Sequence, residues 1–338
     1  MKYSKVFVDA IGYELGPNVV TSSELEKRIA PMMAGLHIAP GQLEALTGIR
    51  ERRWWDPGFA LSEGAARAAR KALEQAGLSA ADLGALLYTG VCREHSEPAT
   101  ATAVAASLGV KPETAVFDVS NACLGVLNGM IDVANRIELG QIKAGLVVSC
   151  ESAREINDSM IEEMTKDKSF ENFRLSIATL TGGSGAVAVL LTDGSFGTHK
   201  KHKLLGGAYR AASEHHKLCI WHRDHMSTDA TAVLKHGVAL GQRTWADLLG
   251  ELEMKAGDFN KVICHQVGGT HKKHILEALG IPEGRDFSTY EYLGNMGTVA
   301  LPSSAAIADE REFLLPGDNV AFLGIGSGLN TIMLGLKW

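Results

Sequence analysis

Short apolar runs alternate along the chain with longer segments whose apolar residues recur at helical spacing, a pattern that predicts an α/β protein. The first long periodic segment, 62–76, predicts a helix opened by the capping residue Ser62 and closed by Gly77. It leads through Asp82-Leu83 into an apolar run at 85–91 that predicts a strand. The same sequence of features recurs later. A periodic segment at 230–249 leads through Asp258-Phe259 to a second predicted strand at 261–267. A helix at 124–139 closed by Gly140 precedes a strand at 144–149, and the segment 303–317 closed by Gly317 precedes a strand at 320–326. The separations Asp82 to Asp258 and Val91 to Val267 are equal, and Gly140 to Gly317 differs from them by one residue. Such internal repetition predicts two similar α/β halves, 1–165 and 166–338, with a site near their junction.

Composition narrows the function classes. The chain has 338 residues, 46% of them hydrophobic and 21% charged, which is ordinary globular composition. Its net charge is −6 without a basic stripe, which argues against a nucleic-acid partner because phosphate binding needs clustered positive charge. The apolar run near the N-terminus is too short for a signal peptide and lacks a small-residue cleavage site. No apolar stretch approaches the ~20 residues that span a bilayer. Five widely spaced cysteines are not a disulfide framework and point to a reducing, cytoplasmic setting. A soluble cytoplasmic protein of enzyme size is the expectation.

Among those cysteines, Cys123 stands out. A β-rich run at 115–119 turns through Ser120, Asn121 and Ala122 onto Cys123, and the predicted helix follows at once. That helix is apolar nearly all round, so it should be buried. A thiol at its N-terminus faces unpaired N–H groups and the positive end of the dipole, both of which favour the reactive thiolate. Cys150 and Cys264 lie in or at the ends of predicted strands and read as inert core residues; nothing near Cys92 activates it.

Two further positions offer groups that thiolate chemistry needs. His265 follows the apolar run 262–264, and a polar group at the C-terminal end of a strand is well placed for a site. Asn295 lies between Gly294 and Gly297, where the backbone can be approached closely. The glycine-rich GIGSGLN at 324–330 lacks the following helix of a nucleotide loop and better fits a backbone N–H donor to an oxyanion. The segment HHKLCIWHRDH at 215–225 crowds His215, His216, Cys219, His222 and His225 together, but its spacing matches no zinc pattern. It is expected at a surface or at a substrate mouth.

With these residues in order, the chain resembles thiolase-fold condensing enzymes nearly end to end. The resemblance rests on Cys123 in SNACLG, His265 in HQ, Asn295 in LGNMG and the terminal GIGSG, while TGIRERR at 47–53 is similar to a segment of ketoacyl-ACP synthase III. It implies two βαβαβαββ halves in αβαβα layers, usually as a homodimer. It also implies a Cys-His-Asn triad, oxyanion contacts from the backbone N–H groups of Cys123 and Ser327, acyl-CoA substrates, and neither cofactor nor metal. Two branches compete. Synthase III joins acyl-CoA to malonyl-ACP with loss of CO2, whereas the OleA-type thiolases of bacterial olefin synthesis join two fatty acyl-CoAs without decarboxylation. Glu97, in CREHSEPAT, looks like the OleA base, which typically enters from the partner subunit, so either subunit's copy could serve a given site. Thr270 stands where synthase III carries an arginine for carrier-protein docking, with Lys272 and Lys273 nearby. VVSCESAR at 147–154 is also more similar to OleA. Degradative thiolases use a second cysteine as base, and none occurs at 295–300 or 326–328. The expected product is a β-keto acid or 3-oxoacyl compound, with olefin-pathway enzymes as metabolic partners.

Overall fold

The computed structural model describes residues 1–196, 202–222 and 224–338. In chain order its first set of sheet strands and covering helices is β1 (Phe7–Leu15), α1 (Leu61–Ala76), β2 (Ala85–Tyr88), α2 (Thr100–Leu108), β3 (Ala115–Asp118), α3 (Gly125–Glu138), β4 (Ala144–Glu151) and β5 (Gly185–Thr192). The second set is β6 (His202–Ala211), α4 (Ala230–Leu252), β7 (Lys261–Cys264), α5 (Gly269–Leu279), α6 (Ala300–Glu310), β8 (Asn319–Gly326) and β9 (Asn330–Lys337).

The first set pairs in the order β3-β2-β4-β5-β1 and the second in the order β7-β8-β9-β6. Strand β2 runs parallel to β3 and β4, and β7 runs parallel to β8; the other pairs within each set are antiparallel. The two sets correspond strand for strand, β2 with β7, β4 with β8, β5 with β9 and β1 with β6. The repeat seen in the sequence is thus a structural one. Its one abbreviation is the counterpart of β3, reduced to a single parallel bridge between Val262 and Asp286. The sets meet edge to edge where Phe7 and Val8 pair with Lys203 and His202.

Strands β4 and β5 are buried at every residue because helices cover both faces of their sheet, which is why they read as unbroken apolar runs. On the outer face, α1 presents Ala65, Ala68, Ala69 and Ala72, all fully buried, so its backbone can lie close to β1. The approach is so close that a Cβ on Gly12 would sit 2.3 Å from the Ala68 carbonyl oxygen. Helices α4 and α5 cover the outer face of the second sheet through Trp245, Leu248, Ile275 and Leu276. Between the sheets lie α3 and α6, and their core draws residues from both, including Leu127, Met130, Val147, Val189, Phe322 and Ile332. The five layers are αβαβα, a thiolase fold.

Several local expectations need correction. Helix α1 begins at Leu61, so Ser62 lies inside its first turn and does not cap it. Glu94 takes the capping role: its carboxylate accepts the Ser62 N–H at 2.9 Å and hydroxyl at 2.8 Å. The strands predicted at 85–91 and 261–267 end at Tyr88 and Cys264; one further N–H, of Thr89 and of His265, still bonds to the neighbouring strand, and the Val91 and Cys92 N–H groups turn to the Glu151 carboxylate. The expected division at 165/166 would cut the first sheet, since β5 lies between β4 and β1. We place the division after Thr192. No described helix is long and apolar enough to cross a membrane.

A core shared by both halves makes them unfold together. Leu127→Ala, which empties space between the sheets, should cost roughly 2–5 kcal/mol and shift a single denaturation transition. Two separate transitions by circular dichroism would show that the halves are independent.

Candidate functional site

The turn onto Cys123 is built by forced geometry. Ala122 adopts φ +46°, a conformation rare for a residue with a side chain, and residues 122–124 form one tight helical turn before α3. Asn121 anchors this turn. Its carbonyl accepts the Leu124 N–H at 2.9 Å, its side-chain oxygen accepts from Asn330 at 3.1 Å, and its amide donates to Asn128. The next residue must be glycine, because a Cβ on Gly125 would lie 2.1 Å from the Thr89 carbonyl oxygen. The Val126 N–H, left unpaired at the start of α3, donates to the Thr298 hydroxyl at 2.7 Å. Thr298 belongs to the other half.

A cavity of about 280 Å³ opens over this turn, lined by Cys123, Asn295 and Ser327 together with Glu151, Cys219 and Trp221. Asn295 is fixed on three sides. Its N–H donates to the Thr181 carbonyl at 2.9 Å, its carbonyl accepts the Gly183 N–H at 2.9 Å, and its side-chain oxygen accepts the Gly297 N–H at 3.0 Å. The side-chain NH2 is therefore the part of Asn295 available to the cavity, as a donor. Ser327 stands in the tight connection between β8 and β9, next to Gly326, whose small size keeps that connection close to the Cys123 backbone.

The other two candidates lie elsewhere. His265 is buried directly after β7, where its N–H continues the sheet by donating to Leu323 at 3.0 Å. It is not part of the cavity lining, and its Nδ1 has no hydrogen-bond partner among the described residues. Glu97 is exposed on the loop that follows β2 and lies outside the lining.

Burial dominates the electrostatics of the site. It pushes the Cys123 thiol up to about 12, with smaller contributions from Cys219 and the Glu151 carboxylate. The thiolate expected from the helix N-terminus is thus not the resting form, because loss of solvent outweighs the backbone N–H. Burial likewise pulls His265 down to about 3, with His271 adding to it, so the imidazole is neutral at physiological pH. Glu151 is raised to about 7 by burial, against hydrogen bonds that stabilise its charge.

Sequence reasoning missed Glu151 and named Cys219 only as part of a segment expected at a surface or a substrate mouth. Glu151 ends a strand whose other residues are almost all apolar, and a carboxylate at the C-terminal end of a buried strand was a readable signal. Cys219 carried no such signal. It reaches the cavity on a hairpin pairing Cys219–Trp221 with Met226–Thr228, so the histidine-rich segment does contribute to the cavity wall. Among the described residues no group of three or more His, Cys, Asp or Glu side chains could hold a metal. Nor does Lys272 replace the arginine absent at Thr270: it is mostly buried and pairs with Glu283 at 3.4 Å and Asp286 at 3.5 Å.

The chain matches known families over most of its length. The model of the thiolase N-terminal domain matches residues 59–193, ending one residue after β5, and that of the 3-oxoacyl-[acyl-carrier-protein] synthase III C-terminal domain matches 249–338. An acyl-CoA:acyl-CoA alkyltransferase of Shewanella oneidensis is 56% identical, with all of both chains covered. A β-ketoacyl-[acyl-carrier-protein] synthase III of Oceanobacillus iheyensis is 28% identical over 97% of each chain. The structure of Xanthomonas campestris OleA with bound lauric acid and lauroyl-CoA, determined on a cysteine variant, superposes with a TM-score of 0.94. It is 33% identical and covers 99% of this chain and 100% of that one. Other structures of that protein carry replacements of a glutamate or a histidine.

A half-buried, protonated nucleophile has a pH signature. Cys123 alkylation by iodoacetamide should rise continuously from pH 6 to 10 without a plateau, about tenfold per pH unit, since the thiolate fraction grows in that proportion below the thiol pKa. Mass mapping of the labelled peptide checks this. An inflection near pH 6–7 would mean that a local base already holds the proton.

Proposed function

This chain belongs to the acyl-CoA:acyl-CoA alkyltransferase family of thiolase-fold enzymes, and from that premise we propose that it joins two fatty acyl-CoA molecules by a non-decarboxylative Claisen condensation. The observation that carries this reading is the meeting of Cys123, from one half, with the Asn295 amide and the Ser327 loop, from the other, around one cavity. The glutamate, cysteine and histidine altered in the OleA variants stand at the same mutual spacings as Glu97, Cys123 and His265, which supports their assignment here.

In the first half-reaction the Cys123 sulfur attacks the carbonyl carbon of one acyl-CoA. The thiol proton leaves with CoA, and the chain is held as a thioester. Backbone N–H groups of Cys123 and Ser327 stabilise the oxyanion; losing one such donor typically costs ~10²–10³ in rate. Condensation then needs a carbanion from the second acyl-CoA, and without a carboxylate to lose, a base must take its α-proton. Glu97 is that base, and N–H donors of Asn295 and His265 hold the enolate while it attacks the acyl group on Cys123. The sulfur is released and a 3-oxoacyl product forms, which hydrolysis of its CoA thioester turns into a β-keto acid.

A carboxylate in water is a poor base for a carbon acid, so Glu97 must be enclosed before it acts. Its exposure on a loop outside its own cavity supports a homodimer in which it enters the partner's site. The reaction is cytoplasmic, uses acyl-CoA without a further cofactor, and supplies β-keto acids to olefin-forming enzymes. Decarboxylative synthesis from malonyl-ACP is the alternative; Thr270 lacks its usual docking charge and Lys272 is paired with Glu283 and Asp286, which leaves the exposed Lys273 as the cation nearest that position.

Cys123→Ala should abolish acylation by lauroyl-CoA, read by intact-protein mass. Glu97→Ala should still acylate but lose condensation by ~10²-fold or more. A Glu97→Ala enzyme that condenses two acyl-CoAs at the wild-type rate, or a wild type that needs malonyl-ACP and releases CO2, would overturn the reading.

A further inference from the structure

Glu151 ends β4 with its side chain 4% exposed in relative terms, and it lines the same cavity as Cys123. No step above uses it. A buried carboxylate is costly unless every oxygen is engaged, so its partners reveal what it is for. Oε1 accepts the Val91 N–H at 2.8 Å, and Oε2 accepts the Cys92 N–H at 3.0 Å. Both lie near the start of the loop that carries Glu97, which leaves β2 at Thr89. The carboxylate also lies beside Gly297, at a distance where a Cβ there would make ordinary contact, 3.5 Å from Oε1. Gly297 stands two residues after Asn295. The Glu151 carbonyl meanwhile accepts the Trp55 indole N–H at 3.0 Å, which fixes the residue itself.

We infer that Glu151 is a positioning residue for the condensation step, a carboxylate clasp that holds the root of the Glu97-bearing loop in register with Cys123. This rests on the function proposed above. The clasp needs an ionised carboxylate, because only then do both oxygens act purely as acceptors for two adjacent N–H groups. Glutamine has the same shape but turns an NH2 toward one of those N–H groups, and a protonated acid turns an O–H toward it. Further along, the loop is held by Glu94 at the start of α1, so loss of Glu151 loosens the root of the loop without releasing it. The ionisable groups facing Glu151 are the Tyr88 phenol and the thiols of Cys92, Cys150 and Cys123. None of these is charged near neutral pH, so Glu151 is the group among them that titrates there. Its raised value, about 7, sets the direction: the clasp is intact above that pH and lost as pH falls through it.

The test uses the full chain, with lauroyl-CoA as the probe. Glu151→Gln should fold and be acylated at Cys123 within about threefold of wild type by intact mass. Its condensation kcat should fall about 100-fold with KM little changed, the order expected from misplacing a catalytic group by about 1 Å. Condensation by the wild type should decline below pH 7, and the variant should lack that decline. Glu151→Asp, which keeps two acceptor oxygens, should recover part of the loss and serves if the glutamine variant is unstable. In a Glu97→Ala background, Glu151→Gln should add little further loss, because both act through one group. Wild-type condensation rate and pH profile in both Glu151 variants, or fully additive losses in the double variant, would overturn the inference. A wild type unable to condense acyl-CoAs would instead remove the function on which it rests.

Discussion

Helix α3 is enclosed between two sheets, and an enclosed helix cannot give its first N–H groups to water. That constraint organises the rest of the molecule. The Val126 N–H must be satisfied by protein, and its acceptor, the Thr298 hydroxyl, comes from the opposite half at 2.7 Å. Bringing Thr298 there brings Asn295 and the Gly297 backbone with it, and Gly297 lies against Glu151 at the end of β4. The β8–β9 connection closes from another side because Gly324 and Gly326 leave room for Leu124 and Leu127 of the helix start. The nucleophile is thus surrounded by groups whose first duty is to finish the end of a buried helix.

The same enclosure decides protonation. A helix N-terminus contributes ~0.3–2 kcal/mol toward a nearby anion, worth about 1.5 pH units at most. Desolvation moves a fully buried ionisable group by as much as ~3–5 pH units, and for the half-buried Cys123 it acts in the opposite direction to the helix end. The larger effect wins, leaving Cys123 a thiol and His265 neutral at rest. The helix end still matters, because its N–H groups are fixed before any charge develops on a bound carbonyl. Preorganised dipoles in a dry cavity stabilise an oxyanion far better than they stabilise a resting thiolate that water could have solvated.

Much of this was legible in the sequence. Equal separations between Asp82 and Asp258 and between Val91 and Val267 revealed the duplication, because repeated supersecondary units keep their lengths when their side chains diverge. Cys123 was legible because turn, thiol and buried helix are contiguous. The boundary at 165/166 was not: β5 completes the first sheet from beyond two intervening helices, and strand partners so far apart leave no local pattern. Ser62 misled because a capping residue type says nothing about competitors, and Glu94, distant in sequence, took the helix end. Cys219 was legible only as part of the histidine-rich segment expected at a surface or a substrate mouth, and that segment does line the cavity. Glu151 was visible and overlooked, since a charged residue closing an apolar strand is itself a sign of a site.

The two halves share a plan but have not kept the same parts, and the departures fall around the site. In the first half β3 is a full strand, and Asp118 at its end accepts the Thr100 and Ala101 N–H groups that begin α2. In the second half the equivalent strand is one bridge at Asp286, whose carboxylate accepts the Cys264 N–H at 3.1 Å and the Ser288 hydroxyl at 2.7 Å. Losing that strand leaves the edge of β7 to side chains. Gln266 takes up the N–H groups of Thr289 and Tyr290, fixing the segment that leads to Asn295 directly beside His265. In the first half a regular strand delivers the chain to the nucleophile turn. In the second, a shortened one lets a single glutamine tie the histidine to the asparagine. One ancestral plan thus supplies two unlike walls for the cavity, which a symmetric pair of halves could not.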